Sequence, residues 1–189
     1  MTDKKKKNTK KELNILDRIN ADDGLVILKR LAEEDVSLLK RIEHAASEYF
    51  KEIVVEDIAD EVFWELDSLE VEDVWDQSGS TSYGYVDPGE KAWEMFEDAI
   101  EPYLDELIKR QDLKMDEEAK KYCMGILKGI YKFEKESENE FKDWAVDAPE
   151  QNFEEVFNKW KKYCTNPDDI KDMNEFIGKN SPDWKIQEY

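Results

Sequence analysis

Histidine and cysteine are scarce in this chain of 189 residues. It contains one histidine, His44, and two cysteines, Cys123 and Cys164. A single histidine excludes metal sites built from several histidines, and two cysteines alone cannot complete a structural zinc site. We therefore expect no metal and no cofactor. Because both cysteines fall on apolar helical stripes, we expect buried, free thiols rather than a disulfide.

Long apolar runs are also missing. Hydrophobic and charged residues each make up 40% of the chain, and the mean hydropathy is -0.84. No stretch approaches the roughly 18 consecutive apolar residues of a membrane-spanning helix, and the N-terminus lacks the apolar region of a signal peptide. We expect a cytoplasmic protein that does not enter a membrane. The 12% of aromatic residues, six tryptophans among them, favour a folded chain over a disordered one.

Basic residues are few except at the N-terminus. The formal net charge is -20, although residues 1–11 carry six lysines and one acid. We expect a flexible Lys-rich arm at 1–11 and a single acidic domain at 12–189. That domain repels phosphate groups, so we expect no nucleic-acid binding through it. The strong preference for lysine over arginine favours a prokaryotic source.

Helical periodicity dominates the rest of the chain. Apolar residues recur every three or four positions and predict long helices near 38–54, 87–112 and 118–135, with their apolar sides turned inward. Segments that favour strands, at 53–55 and 83–86, are too short to build a sheet. The predicted fold class is all-α, as an irregular helical bundle or a short stack of αα-hairpins with six to eight helices.

Four residues add local detail to this prediction. Gly125 and Gly129 lie at the edge of an apolar stripe, where each costs about 1 kcal/mol relative to alanine in a helix. We expect close approach of another helix to repay that cost. Trp184 is expected to pack back on the body of the protein, and Trp64 to lie at the edge of the core.

The acidic segment 52–90 is the most unusual part of the chain, because it contains thirteen acidic residues and no basic one. Within it, residues 76–85 are predicted to form the longest loop, and long loops on a helical scaffold often carry function. Three interpretations remain open. The segment is a solvated acidic face, a docking surface for a cation, or a failed calcium loop in which Thr81 replaces the invariant glycine of an EF-hand.

The docking interpretation predicts a non-enzymatic interaction module that binds a basic protein, a cationic peptide or a polyamine. Carboxylates would attract the partner, and exposed aromatic rings would add cation–π attraction. The candidate partner-binding residues are Glu65, Asp67, Glu72, Asp73, Trp75, Asp76, Tyr83 and Tyr85.

Catalysis has no sequence signal, because no nucleophile motif, P-loop or dinucleotide fingerprint is present. We therefore assign no catalytic residue. Two alternatives to the docking module remain. The first is a nucleic-acid mimic that inhibits another protein by occupying its basic groove. The second, with less support, is a hydrolase that uses two carboxylates.

Overall fold

The computed structural model describes residues 15, 18–81 and 84–184. Within them it contains eight α-helices and one two-stranded sheet, so the predicted all-α fold class is confirmed. The helices are α1 (Ala21–Glu34), α2 (Val36–Lys51), α3 (Val55–Asp67), α4 (Val71–Asp76), α5 (Pro88–Asp112), α6 (Asp116–Glu136), α7 (Ala148–Tyr163) and α8 (Pro167–Asn180). None of these helices is both long and apolar enough to cross a membrane.

The chain divides into two compact units, residues 1–49 and residues 50–189. The single domain predicted over 12–189 therefore stays a prediction. The Lys-rich arm predicted at 1–11 lies outside the described residues.

The two helices that begin in the first unit are amphipathic but have no core of their own. Asn20 caps α1, because its Oδ1 accepts a hydrogen bond from the backbone N of Asp23 at 2.8 Å. The expectation that the apolar side of the helix near 38–54 turns inward is wrong, since no residue of α2 is buried. No residue of α1 is buried either. Tyr49, on the apolar side of α2, is 79% exposed. Periodicity identifies the apolar side of a helix, but it does not reveal what covers that side.

The second unit is built around α6, which packs against α3, α5, α7 and α8. The largest fully buried side chains of its core are Trp160, Phe96, Phe133, Phe141, Phe153 and Phe157. Helix α5 begins as its sequence dictates, with the Asp87 carboxylate accepting a hydrogen bond from Gly89 N at 2.8 Å and Pro88 at the first helical position. Pro102 lies on the exposed side of this helix.

Helices α3 and α6 approach each other through two glycines, as predicted. A Cβ atom added to Gly125 would lie 2.6 Å from the Cβ of Ile58, and one added to Gly129 would lie 2.6 Å from the Cβ of Val62. These contacts advance in the same direction along both helices, so α3 and α6 run parallel. Any larger residue at either glycine would force the helices apart.

The segment 76–85 is not the long loop that the sequence predicted. Strand β1 (Gly79–Thr81) pairs antiparallel with strand β2 (Gly84–Val86), and Ser80 lies opposite Tyr85. Gly84 has a φ of 138°, a conformation that residues with a Cβ rarely adopt. The two short strands form a hairpin that strand propensity alone could not predict.

The cysteines and the C-terminal tryptophan complete the second unit. Cys123 and Cys164 are both free. Cys123 is buried as predicted, and burial raises the pKa of its thiol. The prediction of burial is wrong for Cys164, which is half-buried because α7 ends one residue earlier and Cys164 caps it. Trp184 does pack back on the body, with ring centroids 5.1 Å from Tyr131 and 5.0 Å from Phe153.

Candidate docking surface

The end of α3, helix α4 and the β-hairpin bring most of the predicted site residues to the protein surface. Glu65 is exposed on α3, and three predicted acids are exposed on or beside the same turn of α4. Tyr83 lies outside the described residues. We use "the docking surface" for the exposed set Glu65, Glu72, Asp73, Trp75, Asp76 and Tyr85.

Trp75 is held at the surface by the short helix that carries it. The preceding residue, Val74, is fully buried, and the next side chain along a helix points about 100° away. Trp75 is therefore 51% exposed, with one edge of its ring packed on Trp144. The two ring centroids are 4.7 Å apart and the planes meet at 76°. This edge-to-face contact orients the Trp75 ring and leaves much of it open to solvent.

Tyr85 is the more exposed of the two described aromatic residues of the docking surface, at 70%. It lies in β2, directly opposite Ser80 of β1. Its neighbour across the hairpin is thus small and polar, and it offers the ring little apolar cover.

Asp67 differs from the other predicted residues, because hydrogen bonds within the protein already engage it. Its carboxylate accepts a hydrogen bond from the hydroxyl of Ser137. The side-chain amide of Asn139 donates to the backbone carbonyls of Asp67 and Leu69, both at 2.8 Å. Asp67 thus ties the end of α3 to the segment after α6, and we leave it out of the docking surface.

A groove of about 540 Å³ lies beside the docking surface, between the α3–α4 connection and residues 139–140. Trp75 and Glu72 form part of its wall, and Glu70 and Glu140 add two further carboxylates. Glu70 is the N-cap residue of α4, and Glu140 begins a short 3-10 helix, Glu140–Asp143. The groove combines an aromatic wall with negative charge.

Two carboxylates of the acidic segment 52–90 are neutralised by lysines of α6. Glu56 and Asp60 face α6, where they form ion pairs with Lys128 and Lys132; the Asp60–Lys132 distance is 2.7 Å. The sequence alone does not reveal these partners, because they lie 72 residues further along the chain.

The remaining acids of the α4 region have no such neutralisation. Within residues 18–81 and 84–184, no ion pair within 4.0 Å involves Glu65, Glu70, Glu72, Asp73 or Asp76. Five carboxylates without an ion pair among the described residues therefore lie around helix α4 and the end of α3, whereas Glu56 and Asp60 near the start of α3 are paired with lysines.

Trp64 is a further exposed aromatic residue that the sequence prediction placed wrongly. It is 64% exposed instead of lying at the edge of the core, and its ring meets that of Phe63 in an edge-to-face contact with centroids 5.1 Å apart. A helical wheel would have found it, since Trp64 lies about 160° from Leu66, a centre of the apolar side of α3.

No metal centre is apparent in the described part of the chain, where no group of three or more histidine, cysteine or acidic side chains could hold an ion. The calcium interpretation also lacks the loop geometry of an EF-hand, because residues 79–81 pair with residues 84–86 as antiparallel strands.

The chain matches no family model, no curated protein and no solved structure.

Proposed function

We propose that this protein is a non-enzymatic interaction module that uses the docking surface to bind a basic protein or cationic peptide in a prokaryotic cytoplasm. The observation that carries the proposal is the exposure of Trp75 and Tyr85 on neighbouring segments of the chain, together with exposed carboxylates of α4 that have no ion-pair partner among the described residues. Large aromatic side chains are costly to leave in water, and they are enriched where proteins bind one another.

The chemistry of the surface suits a lysine or arginine side chain. Carboxylates attract and steer a cation from a distance, and this attraction weakens as salt screens it. An aromatic face adds about 0.5–2 kcal/mol when the cation lies over the ring. The groove beside Trp75 offers both kinds of contact within one concave site.

The test is a titration of the purified protein with an oligolysine peptide at low ionic strength, followed by tryptophan fluorescence and NMR shifts. We expect shifts concentrated at residues 65–86. Tyr85→Ala and, separately, Trp75→Ala should each weaken binding by about 2- to 30-fold, the range that corresponds to one cation–π contact.

A matched pair of charge variants separates local recognition from general attraction. The triple variant Glu72→Gln, Asp73→Asn, Asp76→Asn removes three charges from the docking surface. Its control, Asp98→Asn, Glu101→Gln, Asp105→Asn, removes three exposed charges from α5.

We expect the α4 triple variant to weaken binding far more than the α5 control. Equal losses in the two variants would mean that the peptide responds to net charge alone, and the proposal would fail. It would also fail if Tyr85→Ala bound the peptide with unchanged affinity.

A further inference from the structure

Helix α1 presents an aliphatic side that no part of the described first unit covers. Leu28 and Leu31 are 43% and 42% exposed. With Ile19, Gly24 and Ile27 they line an apolar groove of about 370 Å³. Gly24 forms an opening in this side, because a Cβ atom there would meet only Ile19, at 3.8 Å.

A helix of 14 residues has little stability in water unless its apolar side packs against something. The charge of this part of the chain narrows the choice of partner. Residues 18–49 contain five basic and seven acidic residues, a net charge of -2, whereas residues 50–189 contain 17 basic and 38 acidic residues, a net charge of -21. A strongly charged partner would add little electrostatic attraction to binding at a nearly neutral, apolar surface.

The charges along α1 are ordered so that two antiparallel copies of the helix place opposite charges next to each other. Asp22 and Asp23 lie in its first turn, and Lys29 and Arg30 follow two turns later. When two such helices lie antiparallel about a twofold axis near residues 26 and 27, Asp23 of each copy comes opposite Arg30 of the other. The antiparallel arrangement also places the opposite ends of the helix dipoles together.

Arg30 is available for such a pairing. Its present contact is an ion pair with Glu34 at 2.9 Å, one turn along the same helix, and both side chains are largely exposed. Pairs of this kind contribute only about 0.3–0.5 kcal/mol, so an intermolecular carboxylate can compete with Glu34.

We propose that α1 is a self-association surface, through which two copies of this chain pair antiparallel with their Leu28 and Leu31 sides in contact. The contact is small, because α1 is only about 21 Å long. Interfaces below about 1,200 Å² are weak, so the dimer forms reversibly and depends on protein concentration.

Sedimentation equilibrium on the full chain, from micromolar to near-millimolar concentration, is the first test. The average mass should rise from 22.4 kDa toward twice that value. Leu28→Asp should remain monomeric. Val26→Asp, a change of the same kind at a 67% exposed position on the opposite side of α1, should dimerise like the parent.

A charge exchange tests the register and guards against a variant that fails to fold. Asp23→Arg and Arg30→Glu each place like charges opposite each other in a homodimer, so each alone should remain monomeric. Mixed in equal amounts, they restore both opposite-charge pairs and should form a heterodimer, with far-UV circular dichroism confirming that both variants keep their helices.

Three results would overturn the proposal. They are a parent chain that stays monomeric at every concentration, a Leu28→Asp variant that associates as well as Val26→Asp, and a mixture of the charge variants that associates no better than its components. A parent that stays monomeric would show that α1 does not pair with a second copy of the chain.

Discussion

Lys120 illustrates how a single charged residue is accommodated inside an acidic protein. Its side chain is only 8% exposed, and its Nζ lies 2.6 Å from Asp169 and 2.9 Å from Glu117. Burial disfavours the charged amine, but the hydrogen bonds to the carboxylates outweigh it and raise the pKa of Lys120. Because Lys120 and Asp169 are mostly removed from solvent, their ion pair should contribute more to the free energy of unfolding than an exposed ion pair does.

Asp169 should make folding stability depend on pH in the acid range. The hydrogen bond from Lys120 holds the pKa of the Asp169 carboxyl below its usual value, against a smaller opposing effect of burial. A depressed carboxyl pKa contributes stability that is present above about pH 4 and is lost as the pH falls through the folded-state pKa. We expect Asp169→Asn to cost about 1–3 kcal/mol at neutral pH.

The check is urea denaturation of the parent and of Asp169→Asn between neutral pH and about pH 2.5. The gap between their free energies of unfolding should close as the pH falls. The control is Asp168→Asn, which removes the same charge one residue earlier, where the side chain is exposed. A gap of constant size across this pH range would contradict the assignment of the stabilising charge to Asp169.

The burial of Lys120 had a partial signal in the sequence. On a helical wheel Lys120 lies within about 20° of Leu127, a core residue of α6. Its partner Asp169 could not be inferred in the same way, because it lies 49 residues further along, on α8. Periodicity within one helix fixes which side chains share a side, whereas the pairing of charges between helices depends on how the helices pack.

At the scale of elements, the packing of α3 on α6 depends on glycine at two positions. A Cβ atom at Gly129 would lie 2.7 Å from the carbonyl oxygen of Ala59 as well as 2.6 Å from Val62. Neither the backbone carbonyl nor the β-branched side chain can move out of the way of the added Cβ unless the whole helix shifts. Overpacking of this kind typically costs about 1–3 kcal/mol, more than the roughly 1 kcal/mol that alanine gains in helix propensity.

We therefore expect Gly129→Ala to destabilise the protein. Gly178→Ala serves as the control, because a Cβ at Gly178 in α8 has no neighbour within 4 Å, and its gain of up to about 1 kcal/mol in helix propensity should appear in full. Thermal or urea denaturation of the two variants should give changes of opposite sign. Stabilisation by Gly129→Ala would show that α3 and α6 can separate freely.

Elements differ in how far their sequences reveal them. Helices α5 and α6 match the predicted ranges 87–112 and 118–135 to within two residues, because their apolar stripes are long and their ends carry clear signals. The hairpin at 79–86 was missed, since strands of three residues contain too little alternation to detect. The candidate docking surface was selected by its charge. A helical wheel would have revealed the exposure of Trp64, whereas the internal hydrogen bonding of Asp67 depends on the packed structure.

At the scale of the whole molecule, the formal charge of -20 sets two effects of salt against each other. Screening weakens ion pairs such as Lys128–Glu56 and Lys132–Asp60, but exposed pairs of this kind contribute only about 0–1 kcal/mol each. Screening also relieves repulsion among the acids that have no basic partner. Because acidic residues exceed basic ones by twenty, the relief of repulsion should be larger than the weakening of the ion pairs.

We expect the melting temperature to rise when sodium chloride is increased from about 20 to about 500 mM, a change that shortens the screening length from more than 20 Å to less than 5 Å. Chloride is the right anion for this measurement, because sulfate stabilises proteins through exclusion from their surface as well. The α5 triple variant Asp98→Asn, Glu101→Gln, Asp105→Asn provides the control, since it removes three unpaired charges and should show a smaller rise. A melting temperature that falls with salt would mean that attraction within ion pairs such as Lys120–Asp169 contributes more to stability than repulsion among the acids costs. The acidic residues would then be neutralised by nearby basic residues.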